Sequence, residues 1–258
     1  MSYPPLTLAC DEPTFDDPAQ ERLHRKRQCA LGYRLFGLMR WGHLGDGHIS
    51  VRDPEHPDYF WLLRYGVPFD HATIDDLVLV GPDGEATTGL GQDATKAEIN
   101  MTAYYIHMPI HDARPDVVTV AHTHTNYGTP WSATLTPFEA VSQEACSFVY
   151  NQSIFRGEEL GVQSYETGQR IAEALGNNTL CMLRNHGPLT VGASVAEAVG
   201  FFVMAERVAE VHLKAPDSVP ISEEAAKHIA TWAEDPKAGW QSFQYMIRSI
   251  VPDPSVVG

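Results

Sequence analysis

Leu31, Leu35, Leu38 and Met39 recur at helical spacing and predict a helix over residues 19–39 with one apolar face. Gly42, Gly45 and Gly47 break it. Two strand-like pieces follow, 47–52 and 59–63, separated by the turn-rich Asp53-Pro54-Glu55-His56-Pro57. Residues 77–80 read as a short strand that stops at Gly81-Pro82-Asp83-Gly84. A second helix is predicted over 96–113, with Thr95 and Glu98 as a capping box and Pro115 just past its end. The β-branched, apolar run 116–121 reads as a buried strand that delivers His122 and His124 at its C-terminal end. A helix over 164–175 ending at Gly176, a strand over 179–183 and a short strand over 189–191 come next. Ser194 and Glu197 form a second capping box, opening a long helix to about Lys214. The chain reads as helical again from Ser222 to about Ile250. Helices alternate with strands, and the early strands are hairpin-like, so the expected fold is one α/β domain with a mixed sheet covered by helices. Residues 1–18, with four prolines and four acidic residues, are expected to form an irregular arm, 19–215 the domain and 216–258 a helical tail.

Composition narrows the function classes. The chain has 258 residues, 43% of them hydrophobic, which is enough for a large core. Lys and Arg total 18 against 33 Asp and Glu, a formal net charge of −15. Such a chain, without a basic stripe, is a poor binder of nucleic acid or anionic membrane, and an anionic substrate would need a local cation. Cys10, Cys29, Cys146 and Cys181 are far apart in sequence and read as reduced thiols. The first ten residues lack the cationic and apolar blocks of a secretory signal, and no apolar run is long enough to span a bilayer. The expectation is a cytoplasmic protein acting on a small molecule.

The chemistry concentrates on histidines. In Val117-Val118-Thr119-Val120-Ala121-His122-Thr123-His124, residues i and i+2 of a strand offer two imidazoles on one side. His186 sits in Arg184-Asn185-His186-Gly187 just after another strand, where Asn and Gly permit a turn that aims its ring back. Three neutral imidazoles with an open position suit one catalytic divalent ion: zinc, iron(II) or manganese, with cobalt also compatible. The competing reading is a chance pairing of two of the 12 histidines on a polar loop.

Ala113-Arg114-Pro115-Asp116 leading into Ala121-His122-Thr123-His124, and then Leu183-Arg184-Asn185-His186-Gly187-Pro188-Leu189-Thr190-Val191-Gly192, resemble the class II aldolase/adducin family. Gly47-His48-Ile49-Ser50-Val51-Arg52 is similar to that family's glycine-containing first strand, and the likeness runs from about residue 21 to 214. The resemblance implies a three-layer α/β/α class II aldolase-like fold with a mixed, mainly antiparallel sheet. It also implies metal ligation by His122, His124 and His186, and a homo-oligomer, commonly a tetramer with sites between subunits. In that case Trp240 or Tyr245 could enter a neighbour's site.

The sequence also departs from the sugar-phosphate aldolases it resembles. Their acid/base Glu falls on Ala103, and Glu98 lies five residues away on another helix face. Ala103, His107 and His111 share one helical stripe, which offers His107 as acid/base and His111 as a substrate contact. Gly47-His48 replaces a Gly-Asn turn, Arg64-Tyr65-Gly66-Val67 lies near the usual Thr-Gly region, and Met101-Thr102 replaces a serine pair. A phosphate cradle has become aromatic and apolar. That points to a non-phosphorylated, flat keto or hydroxy acid, with His48, Tyr65 and Arg184 as substrate contacts and Arg64 or the ion as other carboxylate receivers. The expected activity is a metal-dependent lyase, decarboxylating or of aldol type, working through a metal-stabilised enolate. Two alternatives stay open: an iron(II) oxygenase acting on an aromatic 2-oxo acid, as in one branch of the family, and a non-catalytic adducin-like interaction protein.

Overall fold

The computed structural model describes residues 11–233 and 236–258, without the side chains of 232, 233 and 236. Residues 1–10 of the expected arm lie outside the described residues, and 11–17 carry no helix or strand.

Helix α1 (Pro18–Leu38) starts where expected, because Asp17 caps the Ala19 N–H and Pro18 fits the first turn. Leu31 and Leu35 are buried, while Leu38 of the expected stripe is exposed. Strands β1 (Gly47–Arg52), β2 (Phe60–Leu63) and β3 (Leu77–Val80) form an antiparallel meander, with the two-residue β4 (Ala86–Thr87) at its edge. The turn between β1 and β2 is set by Asp53. Its buried carboxylate accepts Nε and Nη2 of Arg22, Nε1 of Trp61 and the N–H groups of Glu55 and His56. Burial alone would raise the Asp53 pKa, but these donors outweigh it and hold the carboxyl at about 2.

Helix α2 (Met101–Ala113) begins later than the capping-box reading predicts. Lys96 bridges Thr87, and the Ala97 N–H donates to Ala86 O, so the residues before 100 extend along β4. Asn100, not Thr95, is the N-cap and accepts the Thr102 N–H. Strand β5 (Thr119–Thr123) also begins and ends later than its apolar run suggests, which puts His122 inside the strand. The five-residue α3 (Gly128–Ser132) and strand β6 (Gln152–Phe155) are additions to the sequence reading. Then come α4 (Tyr165–Leu175), β7 (Leu180–Leu183), β8 (Gly187–Gly192) and α5 (Val195–Lys214). In α5 the Ser194 side chain accepts the Glu197 N–H, while the Glu197 carboxylate turns to the Ala193 N–H.

The eight strands form one sheet in the order β4-β3-β2-β1-β5-β8-β7-β6, antiparallel throughout except for the parallel pair β6–β7. Strand alternation sorts side chains between two helix layers. Ile49, Val51 and Ala121 face α1 and α5 in the largest core. His48, Ser50, Val120 and His122 occupy the alternate positions, toward the layer of α2 and α4, where Val120 packs with Ile106, Ile110 and Ile171. The three-layer arrangement thus matches the expected class. The last stretch is helical, as expected, over α6 (Glu223–Ala233) and α7 (Pro236–Ile250), with 234 and 235 outside the described residues. Trp240, Phe243, Ile247 and Val251 are buried in the core shared with α1 and α5. The main core thus includes residues on both sides of the boundary expected at 215/216, Trp240 among them. Among the described residues no helix is long and apolar enough to cross a membrane.

Candidate metal centre

β5 pairs with β1 on one side and β8 on the other, which places His122 directly opposite His48 and Leu189. Gly47, at φ +145°, opens β1 where a Cβ would lie 2.4 Å from Oγ1 of Thr123, so only glycine lets the strands close there. Across the β7–β8 turn, Asn185 adopts the left-handed region (φ +54°), a conformation its short polar side chain tolerates. The His186 N–H returns to Leu183 O, and its ring turns toward β5.

The three sequence-predicted ligands meet. Ring centroids are 4.7 Å apart for His122 and His186, 4.9 Å for His124 and His186, and 5.6 Å for His122 and His124. One nitrogen from each lies within 4.8 Å of the others, the one such group of potential metal-ligating side chains among the described residues. Nδ1 of His122 lies 2.9 Å from Pro188 O, and a carbonyl only accepts, so Nδ1 carries the proton and Nε2 keeps a lone pair. Nδ1 of His124 faces Oδ2 of Asp46 at 3.3 Å. Burial, reinforced by the neighbouring imidazoles, pushes His122 well below the usual imidazole range and His186 to about 4. The donor set is thus three imidazoles, with the His122 tautomer fixed, which fits a divalent ion such as zinc. Asp46 was not anticipated; its only signal was its place beside Gly47.

A second set of histidines lies behind this one. His48 Nδ1 is 2.7 Å from His107 Nε2, His107 Nδ1 is 2.7 Å from Ser50 Oγ, and Ser50 Oγ is 2.9 Å from His111 Nε2. The Thr102 hydroxyl donates to Asn100 Oδ1, so at 3.4 Å it can only accept from His48 Nε2. Read from the Thr102 end, the relay runs from His111 through Ser50 and His107 to His48, which then presents Nε2–H. At the other end His111 Nδ1 has no partner in strict hydrogen-bond geometry, although the Val117 backbone raises the pKa of this ring and so favours a proton on it. Burial lowers the pKa of all three rings, His111 to about 3, and keeps them neutral.

A cavity of about 370 Å³ opens beside this group, walled by Gly47, His48, Leu62, Arg64, Tyr65 and Phe69 among others. The His48 ring is the shared wall, 5.1 Å from the His122 ring. Two expected substrate contacts, His48 and Tyr65, therefore lie on one cavity, with Tyr65 at 66% exposure. Three other expected site residues lie off the cavity wall. His107 is completely buried and reaches the cavity only through His48. His111 is also buried, stacked on Phe60 at the blind end of the relay. Arg184 is absent from the cavity wall because its guanidinium pairs with Glu158 at 2.8 Å and Arg156 O at 3.3 Å. Arg64 lies on the wall instead, paired with Asp76. Ala103 is fully buried among Phe60, Leu62 and Met108, with no carboxylate at its position.

The family model "Class II Aldolase and Adducin N-terminal domain" matches residues 27–213. The chain belongs to the class II aldolase and adducin family. It is 34% identical over 236 residues to a 4-hydroxy-3-prenylphenylpyruvate oxygenase/4-hydroxy-3-prenylbenzoate synthase of Streptomyces roseochromogenus subsp. oscitans, covering 90% of this chain and 83% of that one. It is equally 34% identical over 238 residues to the decarboxylase NovR of Streptomyces niveus, covering 90% and 86%. Among solved structures, an L-fuculose 1-phosphate aldolase from Glaciozyma antarctica PI12 superposes with a TM-score of 0.84 at 30% identity, over 93% of this chain and 94% of that one. This class II aldolase fold thus serves relatives named for three different chemistries, and the side chains of the site must decide between them.

Proposed function

We propose that this chain is a divalent-metal-dependent lyase that breaks a C–C bond in a non-phosphorylated aromatic keto or hydroxy acid. The observation that carries the reading is the junction at His48, which joins a three-imidazole ligand set to a cavity walled by aromatic and aliphatic side chains. Two similar proteins named for an aromatic acid substrate or for decarboxylation support it. We assign His122, His124 and His186 as ligands of one ion, zinc, iron(II) or manganese.

A divalent ion held there supplies Lewis-acid polarisation of a carbonyl or hydroxyl oxygen next to the bond being broken. The chain's own groups do the rest. His48 donates its Nε2–H to the oxygen that gains negative charge as the bond breaks. His107, Ser50 and His111 hold His48 in that tautomer. Leu62 and Phe69 pack against the flat part of the substrate, Tyr65 covers the mouth, and Arg64 at the rim receives a carboxylate. With Ala103 in place of an acid/base carboxylate, loss of carbon dioxide is favoured over aldol cleavage, because it needs no base to remove a hydroxyl proton. Sites shared within a homotetramer and a cytoplasmic setting belong to the same proposal.

The test is to supply the metal-loaded protein with aromatic keto and hydroxy acids under anaerobic conditions and follow carbon dioxide and product. Turnover without dioxygen is expected. Turnover of phosphorylated sugars alone would contradict the reading. Stoichiometric dioxygen uptake with iron(II) would transfer it to the second reading, an oxygenase, which the 34% identity to a named oxygenase favours.

A further inference from the structure

Glu206 lies on α5 with 5% of its surface exposed, and no cation pairs with its carboxylate among the described residues. Three donors satisfy it instead. Oε2 accepts the Thr125 hydroxyl and the Gly128 N–H, both at 2.6 Å, and Oε1 accepts the Tyr127 N–H at 2.9 Å. All three come from four consecutive residues that begin one position after His124. The same turn reaches the other histidine segment: the Thr125 N–H donates to Thr129 Oγ1 at 2.9 Å, and the Thr129 hydroxyl donates to His186 O at 3.4 Å. With all its bonds taken up by the turn, Glu206 is not a replacement for the carboxylate missing at Ala103.

We propose that Glu206 is a positioning residue of the metal centre, whose carboxylate clamps the 125–128 turn and so fixes His124 against His186. The inference rests on the reading of the three histidines as ligands of one ion. A side chain without two acceptor oxygens leaves at least one buried N–H of the turn unpaired, and the turn must open to hydrate it. Opening moves Thr125 and Thr129 and loosens the spacing of the two ligand segments. Glu206→Gln makes that change at constant size: in either amide orientation, its NH2 group confronts an N–H of the turn. Thr125→Val removes one donor and leaves both backbone bonds.

The test compares zinc affinity, by competition with a chromophoric chelator, in metal-free wild type, E206Q and T125V, alongside thermal unfolding of each metal-free protein. We expect E206Q to bind zinc at least about 10-fold more weakly and T125V to fall between it and wild type. A purely structural role would lower the unfolding temperature and leave the affinity of the folded protein unchanged. E206Q that folds and binds within twofold of wild type would overturn the proposal. If E206Q does not fold, wild-type affinity in T125V overturns it. Wild type that binds no zinc would remove the metal reading itself, an outcome distinct from equal binding by all three proteins.

Discussion

At the scale of single residues, the proposed exchange of roles between His48 and His107 has the sharpest consequence. Sequence spacing put His107 on the right stripe of the right helix, but spacing carries no depth. Only the pairing of β1 with β5 puts His48 between α2 and His122. Removing the donor that touches substrate, in His48→Phe, is expected to lower kcat by roughly 10²–10³-fold. His107→Ala should lower kcat less, and His107→Gln should recover part of the loss, because a side-chain amide can still donate to His48 Nδ1. Steady-state kinetics on the metal-loaded enzyme check this, and a larger kcat loss in His107→Ala than in His48→Phe would refute the order. The three ligand candidates were legible because a strand's two-residue period and an Asn-His-Gly turn leave marks in sequence. Asp46, Glu206 and the pairing of Arg184 with Glu158 were not, since each depends on a partner brought in from elsewhere in the chain.

At the scale of elements, most strands and helices lay where periodicity put them, and the exceptions have local causes. The capping box at Thr95 lost to backbone pairing with β4, while Ser194 kept its role at α5. Ser194→Ala should therefore cost about 1 kcal/mol in chemical denaturation, whereas Thr95→Ala should cost close to nothing; equal losses would contradict the assignment. α2 and α4 meet at another feature the pattern could not reveal. Pro109 removes the N–H that would bond Tyr105 O, and the freed carbonyl lies over Gly168 of α4. A Cβ at Gly168 would sit 1.8 Å from that oxygen. Gly168→Ala should force the helices apart and destabilise the protein by roughly 1–3 kcal/mol, the range for overpacking, despite alanine's better helix propensity. A neutral or stabilising result in thermal unfolding would show that the contact has room.

At the scale of the whole molecule, every imidazole of the site lies in one sheet, in the turns at its strand ends or on the helix packed against it, and most are buried. Burial holds His48, His107, His111, His122 and His186 neutral, below the roughly 6.5 of an exposed imidazole. The unfolded chain then takes up protons that the folded chain refuses. Stability of the metal-free protein should be complete above about pH 6.5 and fall as pH drops from there toward the folded values, about 4 for His186. Each such group contributes a slope of up to about 1.4 kcal/mol per pH unit. Chemical denaturation between pH 7.5 and 5 reads this directly, and a flat profile would mean the histidines are protonated or hydrated in the folded state. A bound ion would oppose the loss, because protons and metal compete for the same lone pairs.

The most direct measurement is the stoichiometry of divalent metal binding by metal-free wild type and by His122→Ala, His124→Ala and His186→Ala. The structure predicts one ion per chain in wild type, with binding lost or strongly weakened in each variant while the fold persists. No bound ion in wild type, or an ion that survives all three substitutions, would contradict the account.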